Sequence, residues 1–400
     1  MMTIDLAGRA GNWRRSAAAA ALFAFVAVPA LAVDVSNLAD SGAGSLRDAI
    51  ANTADGGTIN FTGAATAGTI TLTSGEIAFA KTLTLVGPGA TSVTVSGNNT
   101  GRIFTLSSGT KTFSVSGLTL RNGLVTGQGG AIATNGALVI DSVQFTSNVA
   151  SDGGGAIAIS RAVVSDLGLA IVRNSGFNLN SVSGTSGAGG GAILLTGAPT
   201  LSAALTMVNS TVSGNLANAS VGMSGGGVSF TDAIVKIYSS TIAFNHAGAS
   251  GAGINQDSIL DSSLTLRNSI VSNGLIDATP IVASDFDIYQ PGGATITSLG
   301  FNLVQNRSAA TGYLASDAAN GTNPLLVALA NNGGPTLTHA LLPGSRAVDT
   351  TDNDLGCIDE TGALLGEDQR GFPRVAGARC DVGAFEFGSA LDLIFNNGFD

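Results

Sequence analysis

A glycine cluster followed by Ala or Val and an aliphatic residue returns along the middle of the chain. This repetition limits the fold more than any other feature. It reads Gly129-Gly130-Ala131-Ile132, Gly153-Gly154-Gly155-Ala156-Ile157, Gly189-Gly190-Gly191-Ala192-Ile193 and Gly225-Gly226-Gly227-Val228, with a weaker copy at Gly251-Ala252-Gly253-Ile254. Between the last glycines the spacings are 25, 36, 36 and 26 residues. A second unit lies between the clusters: an aliphatic strand ending in Asn/Asp/Ser-Ser, then an Asn. The pairs are Ser142 with Asn148, Ser175 with Asn180, Ser210 with Asn215, Ser240 with Asn245, and Ser269 with Asn273. One unit therefore measures 25 to 36 residues, and a fixed period of that size marks a stacked architecture.

Within each unit, short runs alternate apolar residues with Ser or Thr, the period-2 mark of a strand with one buried face. Propeller blades are longer and carry Trp or Gly-His signatures, which are missing. Parallel coils also explain the asparagines, because amides stacked at one turn can hydrogen-bond along a ladder. The expected fold is all-β, a right-handed parallel β-helix. Earlier alternating runs, such as Thr69-Ile70-Thr71-Leu72 and Leu83-Thr84-Leu85-Val86, read as its first coils. Solenoid ends need caps, and Ser45–Asn52 reads as a short capping helix with Leu46, Ala49 and Ile50 on one face and Ser45 or Gly44 at its N-cap.

Composition agrees. Glycine fills 56 of 400 positions while charged residues are only 11%, against roughly 25% in a typical soluble chain. Disorder would need low hydrophobicity and high charge; here the hydrophobic fraction is 44%. A formal charge of −10 and no basic cluster after residue 15 argue against nucleic-acid partners.

Residues 1–32 read as an export signal: Arg9, Arg14 and Arg15 precede an apolar run from Ala17 to Ala32 that ends in Ala30-Leu31-Ala32. That run is too short to span a bilayer, and no transmembrane helix is expected in the mature chain. Export places Cys357 and Cys380 where disulfides persist. A disulfide between them is favoured over two free thiols or a metal site, since the two histidines, His246 and His339, are far apart in sequence.

Two stretches resemble known families. Asp40-Ser41-Gly42-Ala43-Gly44-Ser45-Leu46-Arg47-Asp48-Ala49-Ile50 resembles the start of secreted bacterial β-helix proteins with a CSLREA-type motif, with Gly44 where that motif has cysteine. The repeats that follow are similar to right-handed β-helix and polymorphic outer-membrane-protein repeats, which implies a pectin-lyase-like solenoid. Residues 298–388 resemble the choice-of-anchor Q domain through Leu299-Gly300-Phe301-Asn302-Leu303-Val304, Asn332-Gly333-Gly334-Pro335-Thr336, His339-Ala340-Leu341-Leu342-Pro343-Gly344-Ser345-Arg346-Ala347-Val348-Asp349, Asp368-Gln369-Arg370-Gly371-Phe372-Pro373-Arg374 and Cys380-Asp381-Val382-Gly383-Ala384-Phe385-Glu386. That resemblance implies a region between a β-helix and a sorting tail, with no catalytic role attached. The tail Ile394-Phe395-Asn396-Asn397-Gly398-Phe399-Asp400 resembles the ending of some Gram-negative exported proteins; it reads equally as a frayed terminus. The expected organisation is a signal (1–32), an N-terminal cap (33–57), a β-helix (58–297), a small C-terminal domain (298–388) and a tail (389–400).

Such β-helices often belong to pectate lyases and polygalacturonases, so an enzyme is the natural rival. The galacturonase motifs Asn-Thr-Asp, Asp-Asp, Gly-His-Gly and Arg-Ile-Lys are missing, and no Glu lies between Glu76 and Glu360. Asp141, Asp152, Asp166, Asp232, Asp257 and Asp261 read as turn and cap residues. Arg161, Arg173 and Lys236 could supply a lyase base but have no acidic cluster around them. Asp349-Thr350-Thr351-Asp352-Asn353-Asp354 is the one candidate calcium loop, and an ordinary acidic loop is the favoured reading. Asp368, Arg370, Arg374 and Asp381 are expected to form structural ion pairs. Neither histidine has a nucleophile signature beside it in sequence. The expected protein has no catalytic, cofactor-binding or metal residues. It is secreted or held at the cell surface of a Gram-negative bacterium in an adhesive or envelope-associated role, with a surface polysaccharide or a host or cell-surface protein as partner. The alternative is a lyase or hydrolase of acidic polysaccharides.

Overall fold

The computed structural model describes residues 33–388 apart from 185–188, 219–224, 249, 258–261, 277–285, 291–295, 308–310 and 352–356. The readings of residues 1–32 as a signal and 389–400 as a tail lie outside the described residues. So do Asp261, Asp352, Asn353 and Asp354, and with them half of the candidate calcium loop.

The chain winds into a parallel β-helix. Four stacked sheets of ten, nine, eight and six strands make up the rod, the six-stranded one only from Leu124–Val125 to Leu275–Ile276, and every pairing between strands within them is parallel. A middle coil passes through all four in turn, for example Ile157–Ser160, Leu169–Arg173, Gly176–Asn178 and Ser181–Val182. The ten-stranded sheet begins with Val33–Val35 against Ile59–Phe61 and ends at Ile296–Ser298. At about 4.8 Å per step it spans about 43 Å.

Alternation explains the interior. In Leu83–Val86, Leu83 and Leu85 are buried, and their neighbours in the next coil, Phe113 and Val115, are buried above them. Phe145 and Phe177 hold one register position in successive coils, with rings stacked at 4.6 Å between centroids.

The glycine clusters are corners that only glycine fits. Gly129, Gly154 and Gly190 have φ of +74°, +60° and +71°, a region costly for residues with a Cβ. A Cβ on Gly130, Gly155 or Gly191 would lie 2.2 Å from the carbonyl oxygen of the glycine in the next coil. The true steps differ slightly from the spacing of the glycines. Ala131, Ala156, Ala192, Gly227 and Gly253 are equivalent by their hydrogen bonds, so the fourth cluster is shifted by one residue.

Two polar ladders flank the nine-stranded sheet. Asn148, Asn180, Asn215 and Asn245 are fully buried, and each of the first three donates Nδ2 to Oδ1 of the next at 2.9 Å. Each also gives an Nδ2 bond to a backbone carbonyl in the preceding coil. Asn273 does not join this ladder. It takes the left-handed corner one place earlier, at φ +55°, as Asn122 and Ser147 do in theirs, and Gly274 holds the ladder position. On the other side of the sheet, Ser175, Ser210, Ser240 and Ser269 accept from the backbone N–H of Val143, Ser175, Ser210 and Ser240. Ser142 falls one place early here too. At φ +55° it pairs with the corner occupied by Asn174, Asn209, Ser239 and Asn268. Both offsets have one cause: Asn and Ser serve equally well as left-handed corner residues, so sequence alone does not separate corner from ladder.

The helix Leu46–Asn52 closes the N-terminal end, with Leu46, Ala49 and Ile50 buried and Ser45 Oγ accepting from Asp48 N–H. Arg47 fixes it to the first coil through the Gly75 and Glu76 carbonyls at 2.7 and 2.9 Å, and through Asp40 at 3.1 Å. At the other end Tyr313 packs on the core, and Asp317 accepts from Ser298 Oγ and from Asn302 and Leu314 N–H.

Candidate functional site

Beyond the rod, the described residues of 322–388 form no long strands. They lie along the outward face of the nine-stranded sheet, whose strands point one row of polar side chains outward. Gln144 Oε1 accepts from Leu337 N–H, Thr211 Oγ1 meets Gln369 at 2.6 Å, and Thr241 Oγ1 accepts from Ala384 N–H. Corner asparagines reach the same segment: Asn209 donates to the Glu367 carbonyl and Asn268 to that of Asp381. Arg173, at the end of its ten-stranded-sheet strand, pairs with Glu360 and lies 3.9 Å from Asp359.

His339 sits in this seam. Its Nδ1 lies 2.6 Å from the Val327 carbonyl, an acceptor only, so Nδ1 carries the proton. Nε2 is then left to accept from Ser213 Oγ at 2.7 Å. Burial lowers the His339 pKa, which favours this neutral form. Nothing near His339 in sequence announced Ser213, which lies 126 residues away. Serine and histidine are each 3% exposed, and the Phe244 ring lies 5.0 Å from the imidazole, so the pair acts as a docking contact shut off from solvent.

Of the four residues expected in ion pairs, Arg370 and Asp368 form a direct one. Asp368, Arg370, Arg374 and Asp381 are buried together with Glu386, which the motif contained but the charge pairing had omitted. Arg370 bonds the Asp368 carboxylate at 2.8 Å, donates to the Glu386 carbonyl and lies 3.6 Å over the Phe385 ring. Arg374 donates to the Gly383 carbonyl, while its Nε and Nη1 find no partner. With every group ionised the five sum to −1; one proton brings them to neutrality. Burial, reinforced by Asp381, raises Glu386 to about 8, and burial raises Asp381 to about 6, so Glu386 is where that proton sits. Cys357 and Cys380 form a disulfide beside this cluster, and Thr351 Oγ1 donates to the Cys380 carbonyl.

The candidate bases and acids of the rod are dispersed. Arg161 is spent on the Asp166 and Ser202 carbonyls, and Lys236 points outward from Ala233–Tyr238. Asp141, Asp152 and Asp166 accept from nearby turn groups, and Asp232 is a left-handed corner residue. Asp257 is different: burial raises it to about 7 against hydrogen bonds from Asn255 and Thr231. Asp349 accepts from Arg379 N–H. His246 lies in the strand His246–Ala247. Among the described residues no three His, Cys, Asp or Glu side chains gather as a metal site needs, and no helix is long and apolar enough to cross a membrane.

Where the C-terminal segment first meets the sheet, its 331–337 turn leaves an open cleft of about 310 Å³. The sheet side presents Thr94, Thr119, Arg121, Gln144, Thr146 and Asn178.

The four parallel sheets define the class: a parallel β-helix protein. No family model matches the chain, and no curated protein matches it. Among solved structures, pectate lyase Pel9A aligns over 89% of this chain and 97% of its own, at 15% identity and a TM-score of 0.39.

Proposed function

We propose that this chain is a non-catalytic β-helical rod, secreted or displayed at the cell surface, with an adhesive or envelope-associated role. Residues 298–388 serve as a choice-of-anchor Q-like region, which begins in the last coil and docks on the rod from residue 322, and residues 389–400 as a sorting tail. The observation that carries this reading is where the ionisable groups are spent. Arg173, His339, Asp368, Arg370 and Asp381 all hold the C-terminal segment to the rod or to itself, while the arginine and aspartates nearest to lyase chemistry serve turns and carbonyls.

One observation favours the rival enzyme: Asp257 holds its proton to about pH 7, as a general acid requires. The test is incubation of the secreted protein with calcium and a panel of acidic polysaccharides. The expected result is no unsaturated and no new reducing ends. Release of ends that is abolished in Asp257→Asn would overturn the proposal. Deleting residues 391–400 should shift the protein between envelope and medium; an unchanged partition would remove the sorting role.

A further inference from the structure

We infer that a second cleft, between the rod's corner at Asn174 and Asn209 and the 364–367 turn, takes the primary ammonium group of an alkyl chain, with Asn209 Oδ1 and the Glu367 carboxylate as its acceptors. Such a site is additional to the non-catalytic rod proposed above, and its absence would leave that reading standing.

The cleft measures about 340 Å³. Its rod wall is Arg173, Val208 and the two corner asparagines; the 364–367 turn of the C-terminal segment is the wall opposite. The donors of this lining are turned on neighbours. Arg173 pairs with Glu360 and lies 3.9 Å from Asp359. Asn174 gives Nδ2 to Asp141 at 2.9 Å, and Asn209 gives Nδ2 to the Glu367 carbonyl at 2.8 Å.

The acceptors are unspent. A carbonyl only accepts, so the Asn209 amide is fixed with its NH2 toward Glu367. Its Oδ1, on a residue only 4% exposed, has no partner. Beside the cleft, Glu360 keeps Oε1 on Arg173 while Oε2 is buried and unpartnered. Buried acceptors without a donor are costly and rare, and two at one cleft point to a donor from outside the chain. The Glu367 carboxylate is exposed and bonds nothing among the described residues.

Charge and shape set the class of that donor. Among the groups that line the cleft or bond to its lining, four carboxylates (Asp141, Asp359, Glu360 and Glu367) stand against the one guanidinium of Arg173, a balance of −3. A cation is favoured, but among the described residues no three carboxylates converge as a metal ion needs. An alkyl ammonium brings three donors and no acceptor, and a methylene stem that packs on apolar surface while the head stays polar. Val208 and Leu365 line the cleft, and Leu364 stands 71% exposed at its rim, ready to cover such a stem. A free diamine and the lysine side chain of a protein partner share this chemistry.

The experiment titrates the full secreted protein with diaminobutane and with a short lysine-containing peptide. Norleucine in place of that lysine keeps the stem without the charge, tetramethylammonium keeps the charge without donors, and arginine offers a planar fork instead. Both ammonium probes should bind at least about tenfold more tightly than all three controls, as expected for a charge-assisted hydrogen bond, and the tighter of the two identifies the source. The Asn209 side-chain amide resonance, assigned through Asn209→Gly, should shift with either ammonium probe. Glu367→Gln should weaken binding at least about tenfold, and an unchanged melting temperature checks the fold. Asp34→Asn removes the same charge from an exposed position on the first strand and should leave affinity unchanged. No binding of either ammonium probe, a control bound as tightly, an Asn209 resonance that does not move, or equal losses in Glu367→Gln and Asp34→Asn would overturn the inference.

Discussion

The rod and the C-terminal segment solve the problem of staying folded in opposite ways. In the rod, each coil buries its apolar face on the next and satisfies its backbone in a parallel ladder, so one apolar core runs from Val35 to Val304. The C-terminal segment has only isolated bridges among its described residues, such as Leu326 with Leu341 and Ala330 with Thr338. Its apolar cluster is small and borrows Ile270 and Leu303 from the rod. Buried charge, one disulfide and side-chain bonds to the sheet make up the difference. Repetition stabilises through many small equal terms; the segment depends on a few large ones.

Single substitutions should expose that contrast. Arg370→Met leaves Asp368 buried without its partner, a loss of about 3–5 kcal/mol. The segment should become protease-sensitive while the β-sheet circular dichroism of the rod persists; simultaneous loss of both would show that the rod depends on its strap. Phe177→Ala, in the stacked pair inside the rod, should cost about 3–5 kcal/mol and lower the main melting transition instead. Next in size is Cys357→Ser with Cys380→Ser. Opening a 23-residue loop should cost roughly 3 kcal/mol in the chain-entropy picture, seen as earlier proteolysis within 322–388 and little change in the rod.

The pH response separates the regions again. Glu386 is raised to about 8 and Asp381 to about 6, so the folded protein holds protons that the unfolded chain releases at ordinary carboxylate values. Stability from these groups is complete below those values, falls as pH rises through about 6 and then about 8, and is level above. The melting temperature of the segment should therefore drop between pH 5 and 8, and Glu386→Gln should flatten the slope. Asp257 and Asp287, raised to about 7 and about 6 by burial, give the rod a trend of the same sign, which Glu386→Gln should leave in place. An unchanged slope in Glu386→Gln would deny that the charge cluster holds the extra proton.

The fold was legible because it is periodic. Glycine corners, alternating strands and the asparagine ladder each repeat, and the helix at Leu46–Asn52 announces itself through Ser45 and its apolar face. The errors were shifts of one residue, at Ser142 and Asn273, where two neighbouring positions tolerate the same residue types. The seam was not legible. Ser213 with His339, Thr211 with Gln369 and Arg173 with Glu360 join residues 126 to 187 positions apart, and no period connects them. The cleft was hidden for the same reason, since one wall is strand and the other is a turn some two hundred residues later.

The smallest expected effect is a gain. Leu179 occupies the left-handed corner before the ladder residue Asn180, at φ +55°, with 62% of its surface exposed. A leucine there bears the Cβ–carbonyl clash, about 1–2 kcal/mol, and buries little in return. Equivalent corners hold Asn122, Gly214 and Asn273. Leu179→Asn should raise stability by about 0.5–1 kcal/mol, read as a rise in the midpoint of the rod's denaturant transition with an unchanged slope. Phe244 at the same corner is the control, because its ring lies 5.0 Å from His339. Phe244→Asn relieves the same backbone but loses that seam contact, so its gain should be smaller or reversed. Equal gains at both positions would mean that the strap takes nothing from the rod's corner, and would break the contrast drawn between them.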